Sequence, residues 1–480
     1  MSAETQNTEK RLSAQSNDSS FENIWQDLKW RGLVHVSTDE AALEKSLSEG
    51  SVSYYCGFDP TAPSLHLGHL VQLLMMRRLQ LAGHRPFALV GGATGLIGDP
   101  RQTSERVLNT REVVAEWVDS LREQIRPYLS FEGENAATMV NNLDWTAQMS
   151  ALDFLREVGK NFRVGTMVKK EIVSKRLHSD EGISYTEFSY QVLQGNDYLE
   201  LFRRHGITLQ SGGSDQWGNL TSGTELIRKV EGEHVHALGT PLITNADGTK
   251  FGKSEGNAIW LDAQMCSPYA FYQFWLNTAD ADVVDRLKVF TFLTRAEIEE
   301  YAQKVADEPF RREAQKRLAW EVTALAHGEE TTTKVIEASQ AVFGGGDLTA
   351  VDPDTLTAVL AELPQADRSQ WEGEPGTVTA VELLVSTGLV ASRSEARRTV
   401  RDGGASVNNV RVTDADQVFT RDDAFAGRHL LVRRGKKNMA GADLGGGLTT
   451  AADHRCPPCV AGRDRGHDGR RRRGGRSRKG

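Results

Sequence analysis

The sequence predicts an α/β protein: an open parallel sheet with helices on its faces, then a wholly helical stretch, then a small α+β unit. Three observations carry this reading. The stretch YYCGFDPTAPSLHLGH (54–69) passes from an apolar run through a turn into a helical pattern. A second apolar run, PFALVG (86–91), follows that helix and opens into GGATGLIGDP. Strand, helix and strand joined by short glycine-rich links are the mark of parallel pairing. Finally, residues 269–344 carry helical periodicity alone, and composition changes at Gly344-Gly345-Gly346.

At 480 residues the chain has room for two or three domains. Hydrophobic residues make up 39% and charged residues 25%, ordinary for an enzyme with a sizeable core. The polar start, MSAETQNTEKRLSAQSNDSS, lacks the apolar centre of a signal peptide, and no run approaches the roughly 20 apolar residues of a membrane span. A cytoplasmic location is expected. Four cysteines make no disulfide framework. Cys456 and Cys459 form CPPC without a second pair or spaced histidines, so no metal site is expected. The net charge is −8, but residues 440–480 hold ten Lys/Arg against four Asp/Glu, leaving −14 for the remainder. An acidic chain still binds RNA where its basic residues cluster.

Taken in order, residues 1–20 read as a disordered leader. A helix around Ile24–Leu28 breaks at Gly32, and a second is expected from Thr38 to Glu49, stopping at Gly50. Ser51–Phe58 is the first strong strand, Leu65–Ala82 a buried helix ending at Gly83, and Pro86–Gly91 a second buried strand. An amphipathic helix over 110–129 precedes a short strand at Met139–Asn142 and a helix at 150–159. Tyr185–Gln194 and Tyr198–His205 read as two helices, Ile207–Gln210 as a strand, and the chain after SGGSDQWGNL as a helix to about Val230. The helix 310–327 is long and charged. Residues 345–376 are acidic and proline-containing, a linker with one short helix near 355–362. Helices at 378–386 and 392–401 then precede strands at Ala405–Val407 and Val410–Val412, joined by Asn408-Asn409, a dipeptide suited to positive φ.

Two segments carry chemistry. At the first, a helix N-terminus follows a strand and a tight turn, the arrangement that presents backbone N–H groups to a phosphate. His66 and His69 are three apart and share one face of its opening turn. The second, DGTKFGKSEG (247–256), sets Lys250 and Lys253 in a glycine-punctuated loop with Ser254 beside the second lysine. Its ammonium groups can neutralise charge developing on departing phosphates. Either segment alone also fits a bland reading, an ordinary helix start or a solvated loop. Together they describe a nucleotide site.

LHLGH resembles the HIGH motif, and KFGKS the KMSKS motif, of class I aminoacyl-tRNA synthetases. With YYCGFDPTAPSLHLGHL, GGATGLIGDP, YTEFSYQVLQGNDYLEL and GGSDQWGNL in order and spacing over about 21–438, the chain resembles the bacterial tyrosyl-tRNA synthetases. GGSDQWGN and the Tyr55/Asp197 pair separate it from the tryptophanyl enzymes, and intact HLGH and KFGKS from a non-catalytic RNA-binding relative. The resemblance implies a Rossmann-type catalytic domain that joins tyrosine to ATP, releasing pyrophosphate, and passes tyrosine to the 3′ end of tRNA(Tyr). It implies Mg2+ with the ATP, no other cofactor, and a homodimer.

The resemblance also implies roles. His66, His69, Gly57, Gly68 and Thr61 would meet ATP; Cys56 and Asp215 the ribose; Asp59 would lie near both substrates. Lys250, Lys253 and Ser254 would close on pyrophosphate. Asp99, Tyr190 and Gln194 match the ammonium-binding set, Gln216 would orient the carboxylate, and Tyr55 and Asp197 would bond the phenol. The loop after GDP reads Arg101-Gln102-Thr103-Ser104-Glu105-Arg106, without the lysine common in the family; Arg101 is a candidate replacement. Residues 377–439 resemble the small RNA-binding fold of a ribosomal small-subunit protein, with Arg393, Arg397, Arg398 and Arg401 facing phosphates. The expected division is thus a leader (1–20), a catalytic domain with a helical dimerisation insert (21–260), a helical tRNA-binding domain (261–344), a linker (345–376), the RNA-binding unit (377–439) and a disordered basic tail (440–480). That tail fits either an RNA-binding extension or a shifted reading frame in a GC-rich gene.

Overall fold

The structure, a computed structural model, describes residues 8, 11–100, 108–246, 248–249, 251–254, 257–372, 374, 376–435 and 438–445. Its centre is a six-stranded sheet of β1 (Val36–Ser37), β2 (Ser53–Phe58), β3 (Arg85–Val90), β4 (Thr138–Asn141), β5 (Leu209–Gly213) and β6 (His236–Thr240). The strand order is β1-β6-β5-β2-β3-β4, and only β1 is antiparallel to its neighbour. The chain winds outward from β2 through β3 to β4, then returns beside β2 with β5 and winds the other way. The crevice at the carboxyl ends of β2 and β5 is therefore the topological switch point, where open α/β sheets bind ligands.

Helices cover both faces. On one lie α1 (Leu67–Leu81) and α2 (Arg111–Ile125), whose buried Leu70, Leu73, Val114 and Val118 share a cluster with Tyr54, Cys56 and Phe58. On the other lie α3 (Tyr185–His205) and α4 (Trp217–Val230), clustered with Tyr55, Phe87 and Leu89. Strand alternation thus sends Tyr54 and Tyr55 to opposite faces. The helix α3 is continuous where two helices are expected, because Gly195 lies against the Phe162 ring: a Cβ there would sit 2.9 Å from it. Small size, not chain flexibility, is what the position requires. Residues 150–159 form no single α-helix: a short α-helical turn, Ala151–Asp153, passes into a π-turn, Phe154–Val158.

The short hairpin β7 (Lys253–Ser254) and β8 (Asn257–Ala258) leads into a helical array. This array comprises α5 (Pro268–Leu276), α6 (Asp280–Phe290), α7 (Arg295–Asp307), α8 (Glu313–His327) and α9 (Glu329–Gly344). Residues 11–20 of the expected leader are packed: Leu12 is buried, its carbonyl accepts from Arg77, and Asp18 accepts from the backbone N–H of Arg295; residues 1–7, 9 and 10 lie outside the described residues. The expected linker is likewise packed. Its helix α10 (Pro353–Glu362) buries Leu356, Val359 and Leu360 in the main core, so its apolar spacing outweighs the proline-rich flanks.

The last unit joins β9 (Val378–Thr379), α11 (Ala380–Ser386), α12 (Arg393–Arg401), β10 (Ala405–Val407), β11 (Val410–Arg411), β12 (Val418–Phe419), β13 (His429–Arg434) and β14 (Asn438–Asp443). Asn408 and Asn409 have φ of 50° and 62°, as the hairpin between β10 and β11 demands. β14 corrects the expected boundary at 439/440. Residues 440–443 pair with β13, and Ala440, Ala442 and Leu444 are buried. The glycine-rich composition of the tail hides this strand; residues 446–480, including CPPC, lie outside the described residues. Among the described residues no helix is long and apolar enough to cross a membrane.

Candidate active site

The site is built at the carboxyl ends of the parallel strands. Along β2, Tyr55 points to the α3 face and Gly57, two residues on, shares that face without a side chain, so backbone is exposed beside a buried tyrosine. The Tyr55 hydroxyl is buried and has no hydrogen-bond partner among the described residues; its ring meets Tyr198 edge-on at 5.2 Å. Gln210 is beside Tyr55 in register on β5, and its buried Oε1 is also unpartnered.

Asp197, from the middle of α3, is 1% exposed. Asn142 Nδ2 donates to its Oδ2 at 3.0 Å and Trp145 Nε1 to its Oδ1 at 2.8 Å. Burial lifts its carboxyl to about 7 despite those donors. Burial, with the nearby Asp197 charge, also raises the Tyr55 phenol.

A connected polar chain crosses the crevice. Asn142 donates to Thr94 Oγ1 (3.0 Å), Thr94 to Asp59 Oδ1 (2.6 Å), and Tyr190 to Asp59 Oδ2 (2.5 Å). Gly91 permits this approach, since a Cβ there would come within 2.2 Å of Asp59 Oδ1. Asp99 accepts from Gln216 Nε2 at 2.9 Å and from Asn219 Nδ2 at 3.0 Å. Gln194 is half-buried one helical turn from Tyr190, and Asp215 is exposed just past β5. The structure therefore joins Asp59, Tyr190 and Asp197 in one hydrogen-bonded chain and Asp99 and Gln216 in a second through Asn219, with the Tyr55 phenol beside the Asp197 charge. Asn142, Trp145, Thr94, Asn219 and Gln210 join them. Thr94 and Asn219 lie within GGATGLIGDP and GGSDQWGNL, but nothing in the local sequence singles out Asn142, Trp145 or Gln210, whose significance lies in which strand end or helix turn they occupy.

At the start of α1, His66 is the N-cap in extended conformation, and its Nδ1 accepts from the Gly68 N–H at 3.1 Å. His69 Nδ1 accepts in return from the His66 N–H at 3.2 Å, a reciprocal capping box. The rings stack with centroids 3.9 Å apart. Because both Nδ1 atoms accept, each neutral ring carries its proton on Nε2. Burial and the neighbouring His66 hold the His69 imidazole well below its ordinary range. Gly68 and Thr61 are exposed at this turn. Cys56 is not brought to the crevice surface: its thiol points to the α1 face, 3.9 Å from Gln72 Oε1, and burial pushes it up to about 12.

The segment that follows the lysine hairpin docks on the same turn. Leu67 N–H donates to Ile259 O (3.2 Å), Leu261 N–H to Leu65 O (2.9 Å), and Trp260 bridges His66. The backbone of Lys253 and Ser254 forms β7; Lys250, Arg101 and Arg106 lie outside the described residues. On α12, Arg393, Arg397, Arg398 and Arg401 are exposed. Arg397 forms a two-pronged pair with Asp416 (2.9 and 2.7 Å), and Arg393 and Arg401 meet Glu372 and Asp402. Three of the four expected RNA contacts thus already have carboxylate partners.

The family model for class I tRNA synthetases (W and Y) matches residues 47–344, and that for the tyrosine–tRNA ligase SYY-like C-terminal domain matches 359–440. The tyrosine–tRNA ligase of Leifsonia xyli subsp. xyli is 65% identical over 442 residues, covering 92% of this chain and 98% of its own. The chain belongs to the tyrosine–tRNA ligase family. The ligase of Streptomyces avermitilis is 61% identical over 88% of this chain and all of its own. A C-terminally truncated Aspergillus nidulans mitochondrial tyrosyl-tRNA synthetase superposes with TM-score 0.62 at 28% identity, covering 70% of this chain and 98% of that one. Like other tyrosine–tRNA ligases, the protein joins tyrosine to tRNA with ATP as a substrate.

Proposed function

We propose that the crevice between β2 and β5 activates L-tyrosine and that the turn at His66 holds the ATP. The carboxylate oxygen of tyrosine attacks the α-phosphorus. The bond to the β-phosphate breaks, tyrosyl-adenylate forms, and pyrophosphate leaves. A terminal tRNA hydroxyl then attacks the tyrosyl carbonyl and releases AMP. No protein nucleophile is needed, so the residues act by positioning and charge stabilisation.

The observation that carries the amino-acid reading is the pairing of an unpartnered, buried Tyr55 hydroxyl with a buried Asp197 carboxylate fixed by two donors. A phenol satisfies such groups, whereas phenylalanine leaves them unpaired; tyrosyl-tRNA synthetase is itself a standard illustration of that discrimination. Asp99, Tyr190 and Gln194 take the ammonium, and Gln216, already bonded to Asp99, turns its amide toward the carboxylate. The Nε2–H groups of His66 and His69 donate to phosphate oxygens, with Gly57 and Gly68 giving backbone access, Thr61 near the terminal phosphate and Asp215 near the ribose. Asp59 links the two substrate sites. Lys250, Lys253 and Ser254 serve the departing pyrophosphate.

Among the described residues no group of three or more His, Cys, Asp or Glu forms a metal cage. Mg2+ arrives on the ATP phosphates, its usual manner of binding. Homodimer formation is supported by the exposed Leu152 (79%), Leu155 (52%) and Val164 (63%) before α3 and Tyr185 (71%) at its first position. The unit after α10 contacts tRNA through Arg398 and its neighbours on α12. A cytoplasmic location is consistent with ATP and tRNA as the substrates.

ATP–pyrophosphate exchange driven by tyrosine, tryptophan and phenylalanine in turn tests the reading. Exchange with tyrosine alone is expected; exchange driven only by tryptophan overturns the amino-acid assignment.

A further inference from the structure

Arg286 lies on α6, outside the crevice, and is 4% exposed. It holds the approach to the lysine hairpin at two points. Its Nη2 donates to Thr244 O at 2.5 Å, and its guanidinium lies over the Phe251 ring, 4.3 Å from the centroid. A desolvated guanidinium over a ring contributes more than an exposed one. Asp282, one turn back, is 3.6 Å from Nη2 and balances the charge. Phe251 is further enclosed by Phe274, Trp275 and Phe290, with centroids 5.2, 5.5 and 5.7 Å away.

The next residues connect this anchor to the helix turn. Phe251 N–H donates to Ile243 O at 3.1 Å, and Gly252 O accepts from Ile259 N–H at 3.0 Å. Gly252 has φ +74° and packs so closely that a Cβ would lie 3.3 Å from Leu67 Cβ. Ile259 O in turn accepts from the Leu67 N–H. Thus Thr244 and Phe251, on either side of residues 245–250, are fixed by one side chain, and the segment leaving Phe251 is β7.

We infer that Arg286 is a positioning residue for the activation step: by holding Thr244 and Phe251 it fixes the backbone of Lys253 and Ser254 beside the His66 turn. This rests on the reading that Lys253 serves the departing pyrophosphate. Arg286 touches neither substrate, so its loss changes the rate of activation and leaves tyrosine binding alone. Lysine in its place keeps a donor for Thr244 O but lacks the flat cation that covers Phe251.

The test is tyrosine-dependent exchange in the full chain with Arg286→Met, Arg286→Lys, Lys253→Ala and Arg286→Met/Lys253→Ala. Arg286→Met is expected to lower kcat about tenfold, with the tyrosine KM within about twofold of the parent. Arg286→Lys should fall between. The double variant should be no slower than Lys253→Ala, because both losses pass through one group. Unchanged kcat in Arg286→Met, multiplying defects in the double variant, or a tyrosine KM that rises with the loss of rate each overturns the inference. If Lys253→Ala keeps full rate, the pyrophosphate reading itself fails; if it is slow while Arg286→Met is normal, only the positioning role fails. Should Arg286→Met not fold, Phe251→Leu removes the ring and keeps the Thr244 bond, and the same outcomes apply.

Discussion

Tyr55 and Asp197 show how far single residues speak for themselves. Removing the Tyr55 hydroxyl by Tyr55→Phe should cut discrimination against phenylalanine about tenfold, near the net worth of one hydrogen bond. ATP KM should hold steady; equal losses for both amino acids in exchange kinetics would instead indicate damage to β2. Asp197 gives a pH signature. Its carboxyl is lifted by burial to about 7, so between roughly pH 4 and pH 7 the folded chain keeps a proton that the unfolded chain has released. Stability from this group therefore falls as pH rises through that window. Thermal midpoints of Asp197→Asn and parent, compared at pH 4 and pH 8, should shift in the variant's favour at the higher pH. An unchanging difference would mean Asp197 is ionised throughout. The sequence names both residues only through motif resemblance. It cannot reveal Asn142 or Trp145, since nothing in a linear text says that the end of β4 faces the middle of α3.

At the scale of elements, β2, α1 and the glycine-flanked strand ends were readable because apolar period and turn chemistry agree there. α3 was not, because a glycine inside a helix reads as a break until the ring beside it is known. β14 was missed for the related reason that Gly441 and two alanines carry little strand signal. Gly441 nevertheless exchanges backbone bonds with the 364–366 segment, its N–H donating to Pro364 O and its carbonyl accepting from the Ala366 N–H. A chain ending at Met439 should therefore show a lower thermal midpoint than one ending at Gly445, because it leaves β13 and residues 364–366 with unpaired backbone groups. Equal midpoints in differential scanning would show that β14 adds nothing to the fold.

Across the whole molecule, the last unit is fastened to the helical array at the end of α9. Arg433 Nη2 donates to Val342 O and Phe343 O at 2.6 and 3.0 Å, and Asn409 Nδ2 to Ala341 O and Gly346 O at 3.2 and 2.9 Å. The Val342 and Phe343 carbonyls are ones that a helix end leaves open, whereas Ala341 O already accepts from backbone N–H groups and Gly346 lies past the helix. Asn409→Gly keeps the positive φ and removes only the amide, so it should cost about 1 kcal/mol; Asn409→Ala adds backbone strain and should cost about 2 kcal/mol. Both should leave tyrosine-dependent exchange intact while raising the KM for tRNA in aminoacylation. A parallel loss of exchange would show that the joint supports the crevice as well.

The histidine pair at the start of α1 has a consequence for ion selectivity. With each Nδ1 accepting from a backbone N–H, neither imidazole has an Nδ1 lone pair to give. Nε2–H donors on those rings favour oxygen-rich anions. Transition metals that seek imidazole must first force a tautomer change and break a helix cap, so the turn resists poisoning by zinc or nickel at the place where the triphosphate has to sit.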